Sequence, residues 1–496
     1  MPCGASIEAP EFCEGKNPEE TADTMFRYKQ LAEEIESKIH SGTYQAGEKL
    51  PSVRDLHKKL NLSISTVYQA YMELETTGII EARPKSGYYV SPVSLRNLRL
   101  PDFDRAPVSP QKVELDAMVN SVLKNISNPD MLPLSSSATA PELLPVKQLS
   151  AIVKNISGKK MASMLRYSLT EGNPELRRQI ALRTLGLPGG ICAEDIVVTT
   201  GCMEAVSLCL RSILKSGDTI AIESPTHFGF LQFFREMGLL VAEVPTHPRE
   251  GADPDELEKI IRSTPVKACL FMPNFQNPLG VLMSDERKKA IVQLLNRLEI
   301  PLIEDDICGE MYYEGNRPSL MKSFDRKDLV LTCSSFSKTL APGFRIGWVI
   351  AGKRFRDKIL RIKAGSTVCT STPDQHIVAR FLSEGAYERH LRFLRGQLKK
   401  HTVKTALAIQ KYFPEGTRLA LPKGGSLLWV QLPPKVDGLH IYRRALDHNI
   451  AILPGVVCSA AGQFGNHIRI GCGHPFTDAT EKGMETLGML VREAMK

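Results

Sequence analysis

The chain predicts an α/β protein in two parts. Three short helices and a hairpin come first. A mostly parallel sheet flanked by helices follows, with a smaller α+β portion at the end. Three observations carry this reading. Between residues 26 and 90, apolar positions recur at helical spacing three times and then give way to two β-prone runs around Arg83-Pro84-Lys85-Ser86. From Met131 onward, short apolar runs alternate with helical patterns, as strand–helix–strand units do. At 496 residues the chain has material for about three domain-sized units.

Composition narrows the class. A hydrophobic content of 42% with 24% charged residues is that of an ordinary soluble globular chain. No run approaches the roughly 18 apolar residues of a membrane span, so no membrane partner is expected. Residues 1–25 carry six acidic groups against one lysine and lack the apolar core of a signal peptide. Pro2 excludes an N-myristoyl signal. Eleven cysteines occur without C-x-x-C spacing, in apolar settings such as Ala268-Cys269-Leu270. They read as buried, reduced thiols in a cytoplasmic protein, with neither disulfides nor a metal site. The net charge of +8 lies mostly in residues 131–496, with 48 basic against 36 acidic groups, while residues 26–90 have nine against eight. Gross charge therefore does not locate a nucleic-acid surface; a motif must.

Taken in order, Leu31, Ile35 and Ile39 line one face of a helix from Phe26 to near Ser41-Gly42. Ser52 is placed to cap a second helix with Leu56 and Leu60 facing inward. A third helix, 65–77, buries Val67, Ala70, Tyr71 and Leu74 and stops at Gly78. Ser65, Thr66, Tyr68 and Gln69 fall on its exposed, leading side. With the hairpin, these elements make a winged helix-turn-helix. Residues 26–90 resemble the GntR-type DNA-binding domain in LPSVRDL, STVYQAYMELETTG and ARPKSGYYV. The resemblance implies a third helix in the major groove of a double-stranded operator and a wing near the phosphates or minor groove. It also implies Arg54 and Gly87 at the DNA. The alternative is a helical protein–protein module whose polar helix start is merely solvated. Residues 91–130, punctuated by Pro92, Pro101, Pro107 and Pro110, read as a linker with a short helix over 115–126.

The third region, 131–496, predicts strands at 196–198, 219–222, 268–272, 302–303 and 330–332, then long helices, then strands at 427–432 and 467–470. Its central stretch is LVLTCSSFSKTLAPGFRIG, residues 329–347. Here a buried strand gives way to small hydroxyls, Lys338, and a Pro-Gly turn ending in Arg345. Partial desolvation lowers an ammonium pKa from about 10.4 and frees the amine to condense with an aldehyde. Ser335, Ser337 and Arg345 suit a phosphate on that aldehyde.

SSFSKTLAPGFRIGW resembles the cofactor-lysine segment of the fold-type-I aminotransferases, and residues 26–496 together resemble the MocR subfamily of GntR regulators. The resemblance implies pyridoxal 5′-phosphate joined to Lys338 as an imine, with its phosphate held by Ser335 and Arg345. The helix start at Gly201-Cys202-Met203 adds backbone N–H donors. Asp305, with Asp306 as runner-up, takes the ring nitrogen. Asn277 serves the ring oxygen, and His227, beside Phe228, lies on the ring face. Tyr167 reaches a neighbouring subunit's phosphate, which implies a homodimer. Arg469 clamps the α-carboxylate of an amino-acid-like ligand. Cys308 stands where the family often has a tyrosine; a thiol is a poor substitute donor, which puts efficient transamination in doubt. Two functions are compatible with these residues: a cofactor-binding transcription regulator answering to an amino acid or amine, or a working aminotransferase with a DNA-binding appendage. A scaffold that has lost the cofactor is disfavoured by Lys338.

Overall fold

The structure, a computed structural model, describes residues 18–496 except 84–85, 92–94, 96–97, 104–108, 114–118, 120, 123, 126–127 and 185–189. The chain divides into two compact units, residues 1–94 and 95–496.

In the first unit, helices Pro18–His40, Val53–Leu60 and Ile64–Thr76 precede strands Ile80–Arg83 and Gly87–Val90. The strands pair antiparallel, Ile80 with Val90 and Arg83 with Gly87. Leu31, Ile35, Leu56, Val67, Ala70, Tyr71, Leu74, Ile80 and Val90 share one core. The first helix starts at Pro18, eight residues ahead of the expected Phe26. Ser52 caps the second helix through a reciprocal box with Asp55. Two expectations are corrected. Leu60 stands 38% exposed, because the helix ends there and the chain turns away at Asn61, whose φ is 52°. Thr66 is buried, not exposed. The third helix begins at Ile64 with Ser63 as its cap, and both the amide and the hydroxyl of Thr66 bond the Ser63 hydroxyl, at 3.0 and 2.7 Å. Of the wing tip, Pro84 and Lys85 lie outside the described residues, as do Pro92 and Pro107 of the linker.

The second unit is built on an eight-stranded sheet. Its order is Ile196–Thr199, Gly347–Ile350, Val330–Ser335, Leu302–Asp305, Val266–Phe271, Thr219–Ser224, Leu240–His247, Gly251–Ala252. Gly347–Ile350 runs antiparallel to both neighbours and Gly251–Ala252 antiparallel to its one; the other pairs are parallel. Both faces are buried, and the period of two sorts the residues. Val197, Ile220, Ile222, Leu270, Ile303 and Leu331 join one core, whereas Ile196, Val198, Ala221, Cys269, Leu302 and Val330 join cores on the other side. The smaller portion is an antiparallel sheet in the order Arg418–Leu419, Leu427–Gln431, His467–Gly471, Leu453–Pro454. Leu240–His247 and Gly347–Ile350 are strands that the sequence reading did not anticipate.

The stretch read as a linker is tied down where it is described. Leu95 and Leu98 pack on the core of the smaller portion, and Leu419 N–H donates to the Arg99 carbonyl at 3.0 Å. Asp102 exchanges two hydrogen bonds with the Gln431 amide, at 2.8 and 3.1 Å, and pairs with Arg418. Gln111 exchanges two backbone bonds with Val241, at 2.8 and 3.0 Å. Val119 and Val122 are buried, and positions 119, 121, 122, 124 and 125 are helical.

Among the described residues no disulfide forms. Seven of the nine described cysteines are buried, but Cys192 is exposed and Cys369 intermediate, against the expectation of uniformly buried thiols. Among those residues, too, no helix is long and apolar enough to cross a membrane, and no cluster has a metal-ligating composition.

Candidate functional site

Five parallel strands end at one edge of the sheet, and each delivers a candidate residue at or just past its carboxyl end. Ile196–Thr199 leads to Gly201, Thr219–Ser224 to His227, and Val266–Phe271 to Asn277; Leu302–Asp305 ends on Asp305, and Val330–Ser335 leads to Lys338. This carboxyl edge is where open α/β sheets bind ligands.

The loop carrying Lys338 is pinned from below. Phe336 is buried against Trp348 and Tyr387, with ring centroids 4.8 and 5.8 Å away. Thr139 donates to the Lys338 carbonyl at 2.6 Å, and the Thr339 hydroxyl lies 2.6 Å from that of Tyr387. The Lys338 ammonium donates to the carbonyl and hydroxyl of Ser137, at 2.8 and 2.9 Å. Burial lowers its pKa, and the nearby Arg469 charge lowers it further, against Cys308, Asp305 and Cys202. An amine held this way gives up its proton more readily than a solvated lysine.

The two aspartates differ. Asp306 is spent on structure: Arg317 bonds it at 2.5 Å and Asn274 at 2.7 Å. On Asp305, the Ile307 N–H at 3.0 Å and the Cys202 thiol at 3.3 Å both donate to Oδ1, which leaves Oδ2 to receive another donor. Burial raises Asp305 to about 6, while those two donors pull it down.

An anion cradle lies beside them. Helix Cys202–Ile213 starts at Gly201, φ 82°, with no side chain capping its first amides. A Cβ on Gly201 would meet the Arg345 guanidinium, with Cζ 2.9 Å away, so only glycine lets that guanidinium lie over the helix start. Arg345 donates to the Ser337 hydroxyl at 3.4 Å, and the Ser335 hydroxyl accepts from Ser337 N–H at 3.2 Å. Among the described residues Arg345 forms no ion pair. A guanidinium, two hydroxyls and uncapped amides fit a phosphate dianion. Met203 contributes its position in the first turn; its side chain is 38% exposed.

Arg469 is the most unusual residue of the set. It is 1% exposed, in the middle of strand His467–Gly471, and no carboxylate among the described residues pairs with it. Its bonds go to neutral oxygens: Asn277 Oδ1 at 2.8 Å and the Ser135 carbonyl at 2.6 Å. Its Nε has no partner, nor has the Ser135 hydroxyl. Burial lowers its pKa to about 10. His227 is half-buried, with a buried Nδ1 that has no partner among the described residues, and desolvation, then Arg469 and Lys338, push it down to about 3. It is therefore a neutral ring, tilted against Phe228 and edge-on to Phe230, with centroids 4.9 and 5.2 Å away.

The sequence reading missed the Ser135-Ser136-Ser137 run as a lining of this site, although three successive hydroxyls were a visible signal. It also missed the side-chain role of Cys202 and the clamp of Arg317, for which no local signal exists. Tyr167 is not brought to the cluster within one chain; it stands 87% exposed. In the first unit, Arg54, Ser65, Tyr68, Gln69 and Gly87 are exposed, and Gly87 has φ 109°.

Residues 130–482 match the family model for aminotransferase class I and II, and residues 27–90 that for bacterial regulatory proteins of the gntR family. The chain is 37% identical over 476 residues to the HTH-type transcriptional regulator YjiR of Escherichia coli (strain K12), covering 95% of this chain and all of that one. Its second unit resembles Pyrococcus horikoshii kynurenine aminotransferase, with a TM-score of 0.71, 29% identity, and 77% of this chain and 95% of that one covered. It equally resembles the Thermus thermophilus α-aminoadipate aminotransferase LysN, solved with N-(5′-phosphopyridoxyl)-L-leucine, with a TM-score of 0.71, 28% identity, and 77% and 96% covered. The chain belongs to the aminotransferase class I and II family and, with a gntR-family DNA-binding domain ahead of it, to the MocR type of GntR regulators.

Proposed function

We propose that this regulator binds pyridoxal 5′-phosphate at Lys338 and senses an amino acid or amine there, acting as a cytoplasmic homodimer on double-stranded operator DNA. The observation that carries the sensing is Arg469: a buried guanidinium with no carboxylate partner among the described residues costs on the order of several kcal/mol, as an uncompensated buried ion does. A ligand carboxylate offsets that cost, and Asn277 and Ser135 hold the fork in place for it.

When bound, the cofactor supplies an electron-withdrawing ring and an aldehyde that reacts with amines. The rest is the work of this chain. Lys338 offers an amine whose proton burial has loosened, and Ser137 orients it. Asp305, through the Oδ2 left open by the two donors on Oδ1, would hold the ring nitrogen. Arg345, Ser335, Ser337 and the amides of Gly201, Cys202 and Met203 take the phosphate. His227, kept neutral, would cover one face of the ring without adding a charge. Tyr167, exposed on one chain, is available to a second copy's phosphate, which supports the homodimer.

The rival reading, a working aminotransferase, is weakened by Cys308. Its thiol is pushed up to about 12 by burial and replaces a stronger hydroxyl donor. The test is to load the purified full chain with cofactor, reduce it with borohydride and map the adduct. Modification at Lys338, and no adduct there in Lys338→Ala, is expected. An unmodified Lys338 in the wild type overturns the reading.

A further inference from the structure

We propose that the third helix of the first unit reads an A·T-rich half-site, with Ile64 against a thymine methyl and Gln69 on an adjacent adenine. This rests on the DNA-binding reading and adds the base chemistry. Helix Ile64–Thr76, ISTVYQAYMELET, contains neither Lys nor Arg. Those are the side chains that most often read guanine through O6 and N7. The first turn and a half instead exposes Ile64, Ser65, Tyr68 and Gln69.

Ile64 is 53% exposed and Tyr68, one turn later, 49%. A single exposed apolar residue is ordinary on any surface. Two at i and i+4 form a continuous apolar strip, and this strip lies on the helix that winged helix-turn-helix proteins insert into the major groove. In that groove the one apolar feature of the base edges is the thymine C5-methyl group.

The polar positions narrow the code further. The Ser65 hydroxyl lies 2.8 Å from the Ser63 hydroxyl, within the cap, and Thr66 is buried. Gln69 has no partner among the described residues and is the free amide on this face. A glutamine amide pairs bidentately with adenine N6 and N7. Arg54, Lys58 and Lys59 stand exposed on the preceding helix, cations placed for phosphates. Charge for the backbone and apolar contact for the bases are thus divided between neighbouring helices.

The experiment selects binding sites for the full-length protein from a randomised duplex pool and resynthesises the enriched site with 2′-deoxyuridine at each thymine in turn. Uracil keeps every hydrogen bond and removes only the methyl. At one or two positions per half-site the wild type should lose about fourfold in affinity, the worth of one buried methyl. Ile64→Ala, a truncation at a half-exposed site, should bind the thymine site more weakly and show no further loss with uracil. Replacing adenine by 7-deazaadenine should cost the wild type roughly fivefold or more and leave Gln69→Ala unmoved. G·C pairs under this helix, indifference to uracil, or an equal uracil loss in Ile64→Ala overturns the proposal. A pool that yields no enriched sequence overturns sequence-specific DNA reading itself, and this proposal with it.

Discussion

Two residues make the site's chemistry and the fold's pH response depend on groups that look inert. Cys202 sits at the start of the helix beneath the anion cradle, yet its thiol points to Asp305 rather than to the cradle. By holding Oδ1 together with the Ile307 amide, it leaves Oδ2 as the oxygen that would take the ring nitrogen of a bound cofactor. Cys202→Ala should therefore weaken cofactor affinity by about fivefold, the worth of one modest hydrogen bond near 1 kcal/mol. Cys202→Ser, which keeps a donor, should restore most of it; an absorbance titration reads both, and an unchanged Cys202→Ala would make the thiol mere packing. His467 presents the opposite case, a buried ring stacked 5.2 Å from Trp429 with neither nitrogen bonded. Burial lowers its pKa to about 4, with Asp102 opposing weakly. The unfolded chain, at about 6.5, takes up the proton first as pH falls, so this residue removes stability between pH 6.5 and 4. His467→Phe should remove that loss. Relative to wild type it should gain on the order of 3 kcal/mol by pH 4 and far less at pH 8, as measured by denaturant melts at both pH values.

At the scale of elements, the strands with a local signature were legible. The runs Ile196-Val197-Val198 and Leu302-Ile303 are buried on both faces, and such strands announce themselves by continuous apolarity. Leu240–His247 does not, because Glu243 interrupts it. That carboxylate is buried and accepts from Ala460 N–H at 2.8 Å and the Ser459 hydroxyl at 3.2 Å, partners more than two hundred residues away. A strand whose charge is satisfied at such range has no local signature. Thr66 failed for a smaller reason. Placing the helix start at Ser65 instead of Ile64 ignored the reach of Ser63 as a cap, and that cap draws the Thr66 side chain inward. The linker failed through its prolines, which mark the absence of regular structure but say nothing of burial. Asp102 and Gln111 bind the described segment to strands of two sheets. For the site, Lys338 was legible from its hydroxyl-rich setting. Arg469 was legible only through resemblance, and the missing counter-ion that gives it meaning appears only in three dimensions.

At the scale of the molecule, a ligand site and a DNA reader share one chain, and thermodynamics constrains any communication between them. A ligand shifts an equilibrium only by its differential affinity for two states, and DNA must then change ligand affinity by the same factor. Arg469 is suited to generate such a difference. Its charge is buried and has no carboxylate partner among the described residues, so the state that admits a ligand carboxylate gains more than a solvent-exposed site would allow. We therefore expect some amino acid to shift the absorbance of the cofactor-loaded protein and to change operator affinity. A coupling of about 1–3 kcal/mol corresponds to roughly 5- to 150-fold. Arg469→Ala should keep the cofactor on Lys338, since it touches Asn277 and Ser135 rather than the lysine, yet lose the response to carboxylate ligands. Fluorescence anisotropy on the enriched duplex, with and without a panel of amino acids and decarboxylated amines, separates the cases. A response to amines that survives Arg469→Ala assigns the effector to the amine class. Sustained conversion of an amino acid to its oxo acid, with operator affinity unmoved, makes the second unit an enzyme whose DNA reader only positions it.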